Sequence, residues 1–470
     1  MDSGFFGKVG AYGISQVVVA GTGAIGVLFT TRFLSDLEFG LLDTAVTVFY
    51  WCIIVFGCGG SDPMTRYFSL SVTVEEKGKI VSSWMVFHVA SFLLMYLIII
   101  YGQCLSKIFP GDENHLITIK LILGLSIVVS ITNSMLQLLR FEQKTINYMV
   151  AEIAMALMTL IAGVSFLFHG LGLFGWVLAS SISAIITMLV LIWINRKWVF
   201  NVPEIRTIKR LVVYGLPLVP SYMFWYAMLM VDRLMLRNYD KNQVAWFVLA
   251  FKLTLLVKLV NAAFGMAWGP RAMEIYKEST DKVSEKYSMA LSGYLVISLT
   301  LALIICSVAP NIIHMAFPEI YISSAAILPI LMIPIIAEGT TFITGLSFGI
   351  KEKTKWIIFP PLAGLSINIL LNSILIPQYG GGGAALASAI SFMGLGMVYF
   401  ILGNKLIKLS IPARVKYLAL AVLIGLMLFV VAPDPERTDT LIRLAVLVAI
   451  CAGFYRIILK ELTHSRIAIQ

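Results

Sequence analysis

Fourteen apolar stretches, each close to the length that crosses a bilayer, run through this chain with only short polar connections between them. They fall at about residues 9–31, 40–60, 81–104, 115–139, 148–168, 173–194, 211–235, 242–268, 287–309, 323–349, 356–377, 384–403, 415–432 and 440–459. In hydrocarbon every backbone polar group needs a partner within the protein, so such stretches read as helices. The fold class that follows is all-α and integral to the membrane, with about fourteen transmembrane helices. Charged residues make up 13% of the chain, roughly half the ~25% of a soluble domain. No polar stretch reaches the size of a catalytic domain, so the chain does not read as an enzyme. The net charge of +10 does not point to nucleic acid, because the basic residues sit in short loops between apolar runs. The first apolar run follows too short a charged region for a secretory signal and reads as a retained helix.

Lysine and arginine divide unequally between the two sides. Of 35, twenty-five fall on the side holding both termini and the connections after even-numbered spans; eight fall on the other. The remaining two, Lys252 and Lys258, lie inside a span. The positive-inside rule then places both termini in the cytoplasm. Cys52, Cys58, Cys104, Cys306 and Cys451 show no metal-ligand spacing and read as free packing residues, and no metal site is expected.

The chain also repeats itself. Tyr12-Gly13 and Arg32 correspond to Tyr214-Gly215 and Arg233; Gly40 to Arg66 spans the same 26 residues as Ala245 to Arg271. Lys144-Thr145 corresponds to Lys353-Thr354, and Leu178–Ser183 to Leu386–Ser391. The repeat predicts an N-terminal six-helix bundle over 1–194, a basic cytoplasmic linker over 195–210 and a second six-helix bundle over 211–403. Two further helices and a cytoplasmic tail occupy 404–470. An even number of spans per repeat makes the two parallel, around a central cavity suited to alternating access.

Ionisable residues inside a membrane are costly and mark functional positions by default. Lys252 lies ten residues into its span, ~15 Å deep. Thr254, Lys258 and Asn261 share one helical stripe, and Lys258 can also extend toward the cytoplasmic surface, leaving Lys252 the deeper of the two. Arg66 and Arg271, with Arg140 on the same cytoplasmic side, are candidates to receive an anionic group. Arg32 and Arg233 form the outer pair, with Asp36, Glu38, Asp232 and Asp240 near enough in sequence to neutralise them. Glu338, fifteen residues into its span with no cation near it in sequence, is a candidate carrier of a coupling ion, as is Asp232. Asn133, Gln137, Asn368 and Asn372 read as hydrogen bonds between helices, and Gly380–Gly383 as a turn between spans.

Several segments resemble the bacterial polysaccharide flippases of the Wzx type, relatives of the multidrug and toxic-compound extrusion (MATE) transporters. They are Arg32-Phe33-Leu34-Ser35 with Glu38-Phe39-Gly40-Leu41, Arg66-Tyr67-Phe68, Gly215–Pro220, Val231–Leu236, Phe251-Lys252-Leu253 and Ala267–Pro270. Leu42 and Ala245 depart from the pattern, which leads one to expect tyrosine and glycine there. The resemblance implies a MATE-like flippase in the bacterial cytoplasmic membrane. Its substrate would be a polyprenyl-pyrophosphate-linked oligosaccharide moved to the outer leaflet for surface polysaccharide synthesis. The residues fit this independently: Arg66, Arg271 and Lys252 would offer the pyrophosphate a cationic route, and the candidates to bind it are Lys252, Arg66, Arg271, Lys258, Arg140, Arg32 and Arg233. No cofactor is expected beyond a possible H+ or Na+ gradient. The expected partners are the lipid-linked glycan, the bilayer, and the polysaccharide polymerase and chain-length machinery. The competing readings are a cation-coupled multidrug exporter of the same fold, a non-transporting scaffold of a polysaccharide-synthesis complex, and a membrane enzyme.

Overall fold

The computed structural model describes residues 3–101, 113–239, 241–278, 283–316 and 321–431. The fourteenth predicted span, Cys104 and Cys451 lie outside them. Among the described residues the regular structure is helical: α1 (Ser3–Phe33), α2 (Asp36–Phe56), α3 (Asp62–Leu70), α4 (Val74–Tyr101), α5 (Glu113–Phe141), α6 (Thr145–Phe168), α7 (Gly172–Ile194), α8 (Arg196–Val199) and α9 (Ile205–Gly215). There follow α10 (Leu218–Tyr239), α11 (Lys241–Leu253), α12 (Leu255–Glu278), α13 (Val283–Ala316), α14 (Ser324–Thr344), α15 (Leu346–Ile350), α16 (Phe359–Asn404) and α17 (Ala413–Val431). Nine helices or runs of helix among the described residues are long and apolar enough to cross a membrane, and ten if a bent pair counts as one span. The described residues of the first thirteen predicted runs fall mainly on helix.

Local chemistry explains the boundaries. Ser35 caps α2 through a reciprocal capping box with Glu38, which fixes the connection from α1. At 46 residues α16 would be ~69 Å long if straight, twice the hydrocarbon thickness. It bends back at Gly380, whose φ of 54° suits glycine and whose absent side chain admits Gln243 of α11. The Gln243 Oε1 accepts a hydrogen bond from the Gly381 N–H at 2.6 Å. The expected turn between spans is thus a sharp kink at Gly380 between two helices.

The eighth predicted span differs from expectation. It is not one helix over 242–268 but two, α11 and α12, bent by 42°. Thr254 sits at the break, its hydroxyl bonding back to the Phe251 carbonyl at 2.7 Å. Local back-bonding of a threonine competes with the helical ladder and explains the site of the bend.

Two compact units are formed: Asp2–Met223 with Gly269–Lys277, and Phe224–Trp268 with the chain from Glu278 onward. In the first, Trp176 of α7 fills the space left by two glycines. Its ring lies 2.9 Å from where a Cβ of Gly26 in α1 would be, and 2.6 Å from that of Gly163 in α6. Small residues that let a large ring seat between helices are how membrane bundles gain van der Waals contact. In the second unit α14 is the central element, packed against α11, α13, α16 and α17 and buried along most of its length.

Candidate functional site

In the first unit the buried cation is Arg66, 4% exposed, carried by the short helix α3. Its guanidinium lies 4.6 Å from the ring centroid of Tyr67 and 5.2 Å from that of Tyr214. Arg210 of α9 approaches the same Tyr67 ring at 4.3 Å. The rings hold the charges through their negative faces. Arg140, at the end of α5, is half-buried, and its Nε has no hydrogen-bond partner among the described residues. Tyr148, Tyr12, Asp62 and Glu152 are the groups that act on it electrostatically. Glu152 accepts hydrogen bonds from Ser15 Oγ, Gln16 Nε2 (3.0 Å) and Tyr148 Oη (3.0 Å), and Asp62 accepts one from Tyr222 Oη. Arg271 is partly exposed and donates to Glu274 at 3.2 Å. Arg66 and Arg271, paired across the repeat in sequence, therefore belong to the same unit.

Between α5 and α6 Glu142 is clamped by Lys144 (2.9 Å), Lys197 (3.0 Å) and Trp198 Nε1 (2.8 Å). Burial alone would raise its carboxyl, but these donors outweigh it and hold the group below the usual carboxylate range. Arg32 is exposed in the last turn of α1. Its neighbour Glu38 serves the α2 cap and receives the Leu173 N–H at 3.4 Å.

The second unit places its charges differently. Asp232 is 5% exposed and accepts from Asn368 Nδ2 (2.9 Å), Asn372 Nδ2 (2.7 Å) and Ser388 Oγ. Both asparagines thus bridge helices as expected, whereas Asn133 is exposed and neither it nor Gln137 makes such a bond among the described residues. Arg233, next in the chain, turns away and lies 4.7 Å from the centroid of Phe251. Among the described residues it forms no salt bridge with its sequence neighbour Asp232, whose carboxylate accepts from Asn368, Asn372 and Ser388, although the two charges act on each other; Asp240 lies outside the described residues.

Lys252 is exposed in the last turn of α11, and Lys258 is the more enclosed of the two lysines. Lys258 Nζ stands 4.0 Å from Glu338 Oε2 of α14 and 4.4 Å from the Phe251 centroid. The cation for Glu338 thus comes from a helix distant in sequence. On the same face Asn261 donates to the Ile335 carbonyl at 2.8 Å, and Tyr294 Oη donates to Asn261 Oδ1 at 2.7 Å. Tyr294 fits only because residue 339 is glycine: a Cβ there would lie 1.7 Å from its hydroxyl. Among the described residues no group of acidic, histidine and cysteine side chains is arranged to hold a metal.

Solved structures share this fold. MATE in complex with MaL6 superposes with a TM-score of 0.70 at 17% identity, covering 87% of this chain and 97% of that one. An outward-facing multidrug resistance MATE family transporter of the MOP superfamily gives 0.70 at 16%, covering 87% and 96%. A MOP superfamily transporter from Pyrococcus furiosus, described by a reverse polarity of its binding pocket, gives 0.69 at 16%, with the same coverage. No curated protein matches. The fold is therefore that of the MATE-like membrane transporters. The profile of the family described as polysaccharide biosynthesis protein matches residues 6–275, and the chain belongs to that family.

Proposed function

We propose that this protein is a flippase that turns a polyprenyl-pyrophosphate-linked oligosaccharide from the inner to the outer leaflet of the bacterial cytoplasmic membrane. It works by alternating access, with both termini in the cytoplasm, and hands its cargo to the polymerase and chain-length machinery. Membership of a polysaccharide biosynthesis family supports the cargo class. The observation that carries the reading is a set of three buried or half-buried cations held on aromatic rings. Arg66, Arg233 and Lys258 each rest on aromatic rings. A pyrophosphate cannot enter a low-dielectric interior without cationic partners, and guanidinium and ammonium groups are the side chains that supply them. An exporter of cationic drugs would need the opposite polarity, and the Pyrococcus furiosus transporter is described by a reverse polarity of its binding pocket that suggests a different function.

The test is reconstitution in liposomes with a fluorescent polyprenyl-pyrophosphate-linked sugar, whose leaflet exposure is followed by chemical quenching. Protein-dependent exchange is expected. No exchange with any of several glycans, together with transport of a cationic dye, would overturn the proposal in favour of a drug exporter.

A further inference from the structure

We infer that the polar stripe of α5 formed by Asn133, Gln137 and Arg140, with Asp62 beside it, is the subsite that binds the sugar hydroxyls of the cargo. The inference rests on the flippase reading and assigns the recognition of the glycan, a task separate from that of the cations on aromatic rings. The three side chains of α5 recur at i, i+4 and i+7 and so share one face of the helix. Asn133 is exposed, and Gln137 and Arg140 are half-buried. Arg140 lies at the end of the span, and Asn133 is ~10.5 Å further in along the helix. Asp62 comes from the start of α3. The Ser61 and Ser134 hydroxyls, 3.3 Å apart, hold that start against α5, and Arg140 is the cation that acts on Asp62.

A polar side chain on a membrane-spanning helix either bonds to a neighbouring helix or borders water or a polar ligand. The polar groups of α5 divide between these fates by face. Ser130 meets His88 Nδ1 of α4 at 3.3 Å, and Ser134 meets Ser61, so the packed face is bonded to its neighbours. Asn133 and Gln137 make no side-chain hydrogen bond among the described residues, and the Arg140 Nε is buried without a partner. These three are therefore not fastenings between helices. Asp62 is exposed, and its carboxylate accepts from the Tyr222 hydroxyl.

The chemistry of the stripe matches a glycan. A primary carboxamide donates and accepts at once, as a sugar hydroxyl does. Neighbouring hydroxyls on one sugar ring can also pair with a carboxylate or a guanidinium in the two-pronged way those groups favour. Asp62 and Arg140 cancel in charge, so the set suits an uncharged polar group better than a phosphate or a cationic drug. A glycan carried through the interior loses the water on its hydroxyls, and each hydroxyl needs a replacement partner. Glu152 does not compete for these groups, since it already accepts from Ser15, Gln16 and Tyr148.

The experiment is titration of the purified full chain in zwitterionic nanodiscs with geranylgeranyl pyrophosphate, either bare or carrying glucose, galactose or N-acetylglucosamine. At least one sugar-bearing lipid should bind about tenfold more tightly than the bare one. Asn133→Leu and Gln137→Leu should each cut that gain about threefold or more while leaving the affinity for the bare lipid unchanged. Neither amide has a partner to lose, so both variants should keep the wild-type unfolding midpoint. Equal affinity of wild type for all four lipids would overturn the subsite and leave the flippase reading intact. So would a gain untouched in both variants, or a loss shared equally by the bare lipid. A lower midpoint in the leucine variants would show that the amides hold helices together, and would overturn the subsite as well. No binding of any of the lipids by wild type would overturn both readings.

Discussion

The two units treat their interior carboxylates differently. In the first, half-buried Glu152 gathers hydroxyl and amide donors, and Asp62, exposed at the start of α3, takes the Tyr222 phenol, so both acids are hydrogen-bonded. In the second, Asp232 is saturated in the same way, yet Glu338 faces Lys258 with a buried oxygen that accepts nothing. Saturated acids fasten helices together, because removing them strands several donors. A bare acid opposite a lysine contributes little to fastening and is free to exchange partners. Carboxylates in the two units thus differ in how many donors reach them.

This contrast can be broken from its strongest side. Asp232→Leu should cost on the order of 3 kcal/mol or more, because it strands donors from Asn368, Asn372 and Ser388. Asp232→Asn should cost less, and the denaturation midpoint in detergent reads both. A leucine variant as stable as wild type would remove the scaffold role. Next in size, Gly339→Ala should cost about 1–3 kcal/mol by expelling the Tyr294 hydroxyl. Gly293→Ala on α13, with open space around the new methyl, is the control and should be neutral or slightly stabilising.

A smaller effect is expected at Glu142, whose carboxyl is held low in the folded state. Such a group stabilises the fold above its unfolded value, and the contribution fades as pH falls through the folded one. Wild type should therefore lose on the order of 1 kcal/mol more than Glu142→Gln between neutral and acid pH, read as a difference in midpoint. The smallest effect belongs to the exposed Lys79–Glu75 pair, where Glu75→Gln should leave the midpoint unmoved.

The spans were legible because an apolar run of bilayer length has few other fates, and even the turn at Gly380 announced itself through four consecutive glycines. The break at Thr254 was not legible. A single threonine amid apolar residues also suits a straight helix, and what bends the chain there is a hydroxyl bonding to Phe251 rather than any proline or glycine. The Lys258–Glu338 pair was likewise hidden, because its members come from separate helices and no local spacing encodes their approach. Asp232 could be named as an interior acid. Its three partners could not be read as a set, since Ser388 lies beyond the Gly380 break from the two asparagines.

The central claim is that the protein recognises its cargo by anionic charge. The most direct measurement compares, in one preparation of liposomes, the flipping of two lipids with the same tail and glycan, one joined through pyrophosphate and one through an uncharged linkage. The pyrophosphate lipid should cross about tenfold faster or more, since the uncharged one gives Arg233, Lys258 and Arg66 nothing to bind. Equal rates for the two lipids would contradict the account.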